Sequence, residues 1–464
     1  MAGRFGKQAP ICNVLLALCL STALAASLSA CNLRKAAETP AATLPALTQA
    51  IPTPPASPTS QAFPLFPTST GQPALLTPLP TPDENLTKIK VAYLKDGNIW
   101  LWQDGSPSPL TNQGDAYALK ISPDGKLVAY LRQVNAFHAE IWAVEISGEN
   151  ERRLVSISDL DTIGGGVRDA NAVAINPYHM EWIPGTHRLA FNTHQVFDGP
   201  GLVLLNDLNT VDAITGELNY VLLSGWGGEF VFSPDGGQVA LSTPDAILLA
   251  DADGSSYRKV LDYAPVTTYS EYRYYAAPVW SPDGTFLRVA IPPADPLADP
   301  RQPTALWRID LDGAPAYQVG SLSATPFFDT PVSFSPDCSL LVYLLEYGPP
   351  ADNQRELHIA KADGSGDWVY QKGRMLRFYG WSPDSRRFVF SVGEDQQAQI
   401  GSLDAAAQPF TGEGVNIFSV NWIDEQTFLF VQQKNRAFDL SLATLEGELL
   451  TLDTIIDTPP ALDF

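Results

Sequence analysis

The sequence predicts an all-β fold of repeated four-stranded antiparallel units, and three observations carry that reading. One five-residue phrase returns along the chain, as Ile121-Ser-Pro-Asp-Gly125, Phe232-Ser-Pro-Asp-Gly236, Trp280-Ser-Pro-Asp-Gly284, Phe334-Ser-Pro-Asp-Cys338 and Trp381-Ser-Pro-Asp-Ser385. Each copy is followed by a short run rich in β-branched and aromatic residues, such as Leu127-Val-Ala-Tyr130 or Leu341-Val-Tyr-Leu344. No helical periodicity of comparable length competes with these runs.

Taken in chain order, the first element is a leader. Arg4 and Lys7 precede an apolar run from Val14 to Ala26, which ends on Leu28-Ser29-Ala30-Cys31. That charged, greasy, small-residue order is a secretory signal, and the run is too short and interrupted to favour a spanning helix. The terminal tetrapeptide resembles the lipobox of bacterial lipoproteins. The resemblance implies that Cys31 is lipidated and becomes the first residue of an exported protein, held on a bacterial membrane and facing the periplasm or the cell exterior. Residues 1–30 are therefore read as a signal peptide. Of the four cysteines, only Cys338 would then remain with a free thiol, so no internal disulfide is expected and stability must come from packing.

Residues 31–87 form the second element. Between Glu38 and Asp83 no charged residue occurs, and Pro, Thr, Ala and Ser dominate, as in Ile51-Pro-Thr-Pro-Pro-Ala-Ser-Pro-Thr-Ser60. Such a segment cannot bury a core and favours extended polyproline conformations, so it reads as a disordered stalk.

Residues 88–464 carry the repeat. In each phrase a large apolar residue ends a strand, Ser-Pro starts a turn, Asp hydrogen-bonds the turn backbone and Gly takes positive φ. A second strand follows, then a third ending in its own glycine turn, as in Ile247-Leu-Leu-Ala-Asp-Ala-Asp-Gly254 or Leu306-Trp-Arg-Ile-Asp-Leu-Asp-Gly313, and a short fourth. Trp182-Ile-Pro-Gly185 and Trp422-Ile-Asp-Glu425 fit the same phase as degraded copies. Four antiparallel strands at this recurrence make a propeller blade. Eight blades are expected, or seven if the irregular stretch from Leu160 to Tyr178 is a loop insertion. The opening unit, Val91 to Thr111, lacks its first strand, and the tail around Thr454-Ile-Ile456 is the available donor. The phrase resembles that of the TolB-like, WD-repeat-type propellers. The resemblance is specific for fold and unspecific for function, since such propellers include envelope adaptors and the N-terminal halves of prolyl oligopeptidase-type peptidases.

Charge narrows the function. Lys and Arg number 29 against 51 Asp and Glu, a net charge of −22, so phosphate backbones are repelled and nucleic acid is not an expected partner. No Gly-X-Ser-X-Gly elbow occurs, and the repeats leave no room for a hydrolase domain before the last residue. His138, His179, His187, His194 and His358 show no tight ligand spacing, and the turns Asp251-Ala-Asp-Gly254 and Asp310-Leu-Asp-Gly313 lack the further acids of a calcium loop, so neither metal nor cofactor is expected. Cys338 occupies a turn position. One segment invites a binding role: Tyr269, Tyr272, Arg273, Tyr274 and Tyr275, between a fourth strand and the next first strand, offer rigid amphipathic contact area. The same rings could instead pack beneath neighbouring loops. The expected function is a membrane-anchored scaffold that binds an envelope protein or a peptide or glycan ligand. The alternative is a propeller enzyme of lyase or glycoside hydrolase type, whose signature would be paired carboxylates in the central funnel.

Overall fold

The computed structural model describes residues 77–78, 89–323, 331–394, 397–412 and 415–464, so the leader, Cys31 and nearly all of the stalk lie outside the described residues. Eight sheets follow one another along the chain. The first blade holds Val91–Lys95, Asn98–Gln103 and Ser106–Pro109, and the second Ala116–Ile121, Leu127–Gln133, Ala139–Glu145 and Arg152–Val155. The third is built on Ala172–Trp182, Arg188–Phe197, Leu208–Asp212 and Leu218–Leu222, with Val203–Leu204 as an additional short strand. From the fourth to the eighth blade the innermost strands are Glu229–Phe232, Val279–Trp280, Ser333–Phe334, Arg377–Trp381 and Asn416–Trp422. The degraded copies at Trp182 and Trp422 thus end first strands as their intact sisters do. The stretch from Leu160 to Tyr178 is not an insertion that removes a blade: it holds a two-turn helix, Ile157–Ile163, capped by Ser156 and Asp159, and then an eleven-residue inner strand.

Eight hydrophobic clusters lie between successive blades, the last joining the eighth to the first. Each sheet is covered on both faces, which explains why a second strand such as Leu127-Val-Ala-Tyr-Leu131 is buried throughout instead of alternating. The Ser-Pro-Asp turn supplies the start of that strand. In the fourth blade Ser233 Oγ donates to Asp235 Oδ1 at 2.6 Å and accepts from the Gln238 N–H at 2.9 Å, while the Gly236 N–H donates to the Ser233 carbonyl at 2.8 Å. The fifth residue has positive φ in all five intact copies, including Cys338 at 58° and Ser385 at 61°. Three of the four first-position tryptophans tie blade to blade. Trp182, Trp280 and Trp381 donate through Nε1 to the carbonyls of Lys120, Val231 and Ser333, each on the preceding inner strand, at 3.1–3.2 Å.

The hydrogen bond from Ser233 holds the Asp235 carboxyl below its ordinary range, and the equivalent serines do the same for Asp124 and Asp283. A depressed folded-state pKa contributes stability that is complete above the unfolded value of about 4 and is lost as pH falls through the folded value. Replacing Ser233 with Ala removes this contribution. The gap in melting temperature between parent and Ser233→Ala should therefore be widest at pH 5–7 and narrow toward pH 2.5, followed by circular dichroism; a gap independent of pH would show that the hydroxyl acts on the backbone alone.

The tail closes the ring, but not through Thr454–Ile456. Those residues extend the outer strand Glu448–Ile456 of the eighth blade, paired with Ala437–Thr444. The chain then passes Pro459 and Pro460, and Leu462–Asp463 adds the missing innermost strand of the first blade, with Leu462 opposite Tyr93. Leu462 packs on the cluster between the eighth and first blades, and the Leu94 N–H donates to the Ala461 carbonyl at 2.9 Å. Outside that strand, Asp453 accepts from Tyr93 Oη at 2.6 Å and from Lys95 Nζ at 2.7 Å, joining the same two blades at their periphery. Within the segment read as stalk, Thr77–Pro78 pairs in parallel with Glu448–Leu449 on the outer edge of the eighth blade, so at these two residues the chain has regular backbone pairing.

Candidate functional site: two recesses divided by the tyrosine loop

Inner strands run toward the Ser-Pro-Asp turns and second strands run back. Connections between second and third strands, and connections between blades, therefore gather at the opposite end. Residues 263–278, between the outer strand Arg258–Asp262 of the fourth blade and Val279–Trp280 of the fifth, form one such connection. Prolines 265 and 278 and a left-handed Tyr269, φ 56°, keep it from extending either sheet. It is nonetheless held. Tyr263 Oη donates to the Thr243 carbonyl and accepts from the Ala276 N–H, closing the base of the loop. At the tip the Thr267 N–H donates to the Ala294 carbonyl at 2.8 Å, and Tyr269 Oη donates to Asp295 Oδ1 at 2.6 Å.

The five residues singled out by sequence are distributed over distinct environments. Tyr269 is 60% exposed and Arg273 is exposed, while Tyr272 is half-buried. Tyr274 packs on the cluster containing Trp280 and Leu287, and burial pushes its phenol well up. Tyr275 donates to Asn206 Oδ1 at 2.9 Å; burial pushes its phenol up to about 12, against the opposing pull of Asn206 and Arg273. Asn206 is itself placed by its neighbour. Asp207 is fully buried and accepts from the Thr193 N–H, Thr193 Oγ1 and Asn209 Nδ2, each at 2.8 Å, which anchors the long connection of the third blade beneath Tyr275.

Two open recesses flank this loop, and Arg273 and Tyr274 line both. The larger, about 620 Å³, is walled by Asp245, Val266, Glu271 and Tyr272. The other, about 490 Å³, is walled by Tyr178, Glu229, Phe230 and Tyr275. Tyr178 stands at a β-bulge in the inner strand of the third blade, where two residues oppose one on the partner strand. Solvent reaches 41% of it, yet burial, with Glu229 beside it, raises its phenol, as befits a ring set in a concave wall. Sequence reasoning singled out neither Tyr178 nor Glu229 nor Asn206. The only signal was the irregularity of the region before Trp182, because a bulge leaves no mark in residue type.

On the inner strands, burial raises the carboxyls of Glu181 and Asp463; His179 and then Lys120 oppose the shift at Glu181, and Lys120 opposes it at Asp463. Asp463 lies 3.6 Å from Lys120 Nζ and accepts from the Ile121 N–H at 2.8 Å. Lys120 thus ties the closing strand of the first blade to the inner strand of the second. Cys338 lies buried in its turn, its thiol pushed up to about 11 by burial. Among the described residues no three His, Cys, Asp or Glu side chains converge in a way that could hold a metal ion, and no helix is long and apolar enough to cross a membrane.

No family model matches the sequence, and no curated protein matches it either. Solved structures do resemble the fold. They include a prolyl endopeptidase, 18% identical over 61% of this chain and 43% of that one with a TM-score of 0.43. TolB from Acinetobacter baumannii is 15% identical over 61% of this chain and 64% of its own, with a TM-score of 0.33. An oligogalacturonate lyase solved with manganese is 16% identical over 68% and 83%, with a TM-score of 0.43. The matched part thus spans less than half of the endopeptidase and just under two thirds of TolB. These likenesses reach no further than the fold, which the eight blades establish by their own pairing. By that topology the chain is an eight-bladed β-propeller.

Proposed function

We propose that this protein is an exported lipoprotein, anchored through Cys31, whose propeller captures an envelope protein or a peptide or glycan ligand on the face carrying the tyrosine loop. The observation that supports this reading is the pair of recesses sharing Arg273 and Tyr274, with Tyr272 in the wall of the larger. Rigid rings beside a guanidinium, at the border of concave surface, are the usual composition of a contact centre. The half of the loop that packs into the propeller holds the other half in place, which lowers the entropic cost of binding.

Crosslinking in intact cells tests it. Tyr272→Ala with Arg273→Ala should lose capture of the partner recovered with the parent, each truncation weakening binding by about 1–2 kcal/mol, while the melting temperature moves little. Tyr274→Ala should instead lower the melting temperature, since its ring lies on the core. Equal capture by the Tyr272/Arg273 variant and the parent would place the contact elsewhere. The anchor is tested separately: Cys31→Ser should release a folded propeller from the membrane fraction, and retention after a high-salt wash would overturn the lipoprotein reading.

A further inference from the structure

In six of the seven blades opened by the repeated phrase or its degraded form, one interior position of the second strand is aliphatic. It is the residue just after the one that pairs with the phrase's first residue: Ala129, Ala190, Ala240, Val342, Val389 and Leu429, all essentially inaccessible to solvent. Their cross-strand partners on the third strand are Ala, Leu, Ile or Thr. The fifth blade departs at both places. Its residues are Arg288 and, directly opposite, Arg308. Directly opposed side chains have Cβ atoms about 5 Å apart, and like charges so placed repel.

The two guanidiniums are not equally provided for. Arg308 Nε donates to Asp310 Oδ1 at 2.7 Å, and its guanidinium lies 3.6 Å from the centre of the Phe286 ring. Arg288 lies 5.4 Å from the centre of the same ring, but among the described residues it has no carboxylate within ion-pair distance, and its Nε and Nη1 are buried without a hydrogen-bond partner. Burial and then Arg308 lower its pKa, with Cys338, Tyr317 and Asp363 opposing. Both side chains are half-buried, and solvent reaches the Arg308 side chain. The neighbouring Ala290 and Leu306 pack against the sixth blade, so the pair lies on the face turned toward that blade. An acidic protein that places two arginines where its own repeat uses Ala, Val, Leu, Ile or Thr, and gives them one ion-paired carboxylate between them, leaves Arg288 without a hydrogen-bonded anion among the described residues.

We infer that Arg288 and Arg308 form a binding site for a small free oxyanion, of the phosphate or sulfate class, between the fifth and sixth blades. Paired guanidinium forks suit such an anion, and the charge assistance strengthens each hydrogen bond. Packed sheets about 10 Å apart are filled by interdigitating side chains, so an occupant beside this pair is limited to a small inorganic anion and cannot be a macromolecule.

Thermal unfolding of the propeller in phosphate against chloride at equal ionic strength tests the site. Inorganic phosphate at tens of millimolar should raise the melting temperature of the parent by about 2 °C or more over chloride. Arg288→Val with Arg308→Ile, residues the sister blades carry, should melt at or above the parent in chloride and gain nothing from phosphate. Arg288→Ala alone, after the second, third and fourth blades, serves if the double variant does not fold. A parent indifferent to phosphate overturns the proposal. So does a variant that melts well below the parent in chloride yet keeps the phosphate gain, because the pair would then be structural and the anion bound elsewhere.

Discussion

Truncation after Asp457 should open the propeller, lowering its unfolding free energy by about 3–5 kcal/mol and promoting association. The sum is built from the buried apolar surface of Leu462 and several lost hydrogen bonds. Without residues 458–464 the strand Val91–Lys95 loses its inner partner, the Leu94 and Ile121 N–H groups lose their acceptors, and the cluster between the eighth and first blades loses a wall. An unpaired strand edge is a template for another chain. Denaturant unfolding with light scattering reads both effects. Asp453, whose carboxyl burial tends to raise but which Lys95 and Tyr93 hold low, still joins the two blades farther out. Asp453→Ala combined with the truncation should therefore cost more than the two changes taken separately. An unchanged unfolding curve for the truncated chain would mean that the ring is held by the eight clusters alone.

Phe388→Ala in the seventh blade should cost about 3–5 kcal/mol, near the top of what a single substitution does. Phe388 is inaccessible to solvent and touches four rings, with centroids at 4.9 Å to Tyr370, 5.2 Å to Trp381, 5.9 Å to Phe378 and 6.0 Å to Phe390. The backbone of Gly401 lies directly against it, where a Cβ would meet the ring at 2.3 Å, so the third strand offers no side chain at this position to refill the space the ring leaves. Phe388→Leu should recover more than half of the loss by refilling volume. Equilibrium unfolding in urea measures both, and a cost for Phe388→Ala below about 1.5 kcal/mol would show that the cluster repacks.

The repeat itself was legible because its chemistry is local. Ser233, Asp235 and Gly236 act on one another within a few residues, so the turn and the strand it launches can be read from the letters, and seven occurrences in phase imply blades. The count of eight, left open against seven by the irregular stretch before Trp182, follows from Trp182 and Trp422 ending inner strands in the fold. Placement of the closing strand was not legible. Thr454-Ile-Ile456 and Leu462–Asp463 are both short and part-apolar, and which one pairs with Val91–Lys95 depends on where the outer strand of the eighth blade stops and where Pro459 and Pro460 redirect the chain.

The tyrosine loop shows the same division at a finer scale. Its composition and its position between two blades are sequence properties, and they sufficed to single out Tyr269 through Tyr275. Which rings pack and which face solvent rests on partners far away in the chain: Tyr275 on Asn206, Tyr263 on Thr243, and the recess wall on Tyr178 and Glu229 of other blades. The sequence by itself determined the local turns, the strand propensities and the phase of the repeat, because those depend on residues that are neighbours along the chain. Only the tertiary structure decided which strand closes the ring, which tyrosines remain exposed and which arginines meet across two strands, because each depends on distances between residues that the chain keeps apart until the blades pack.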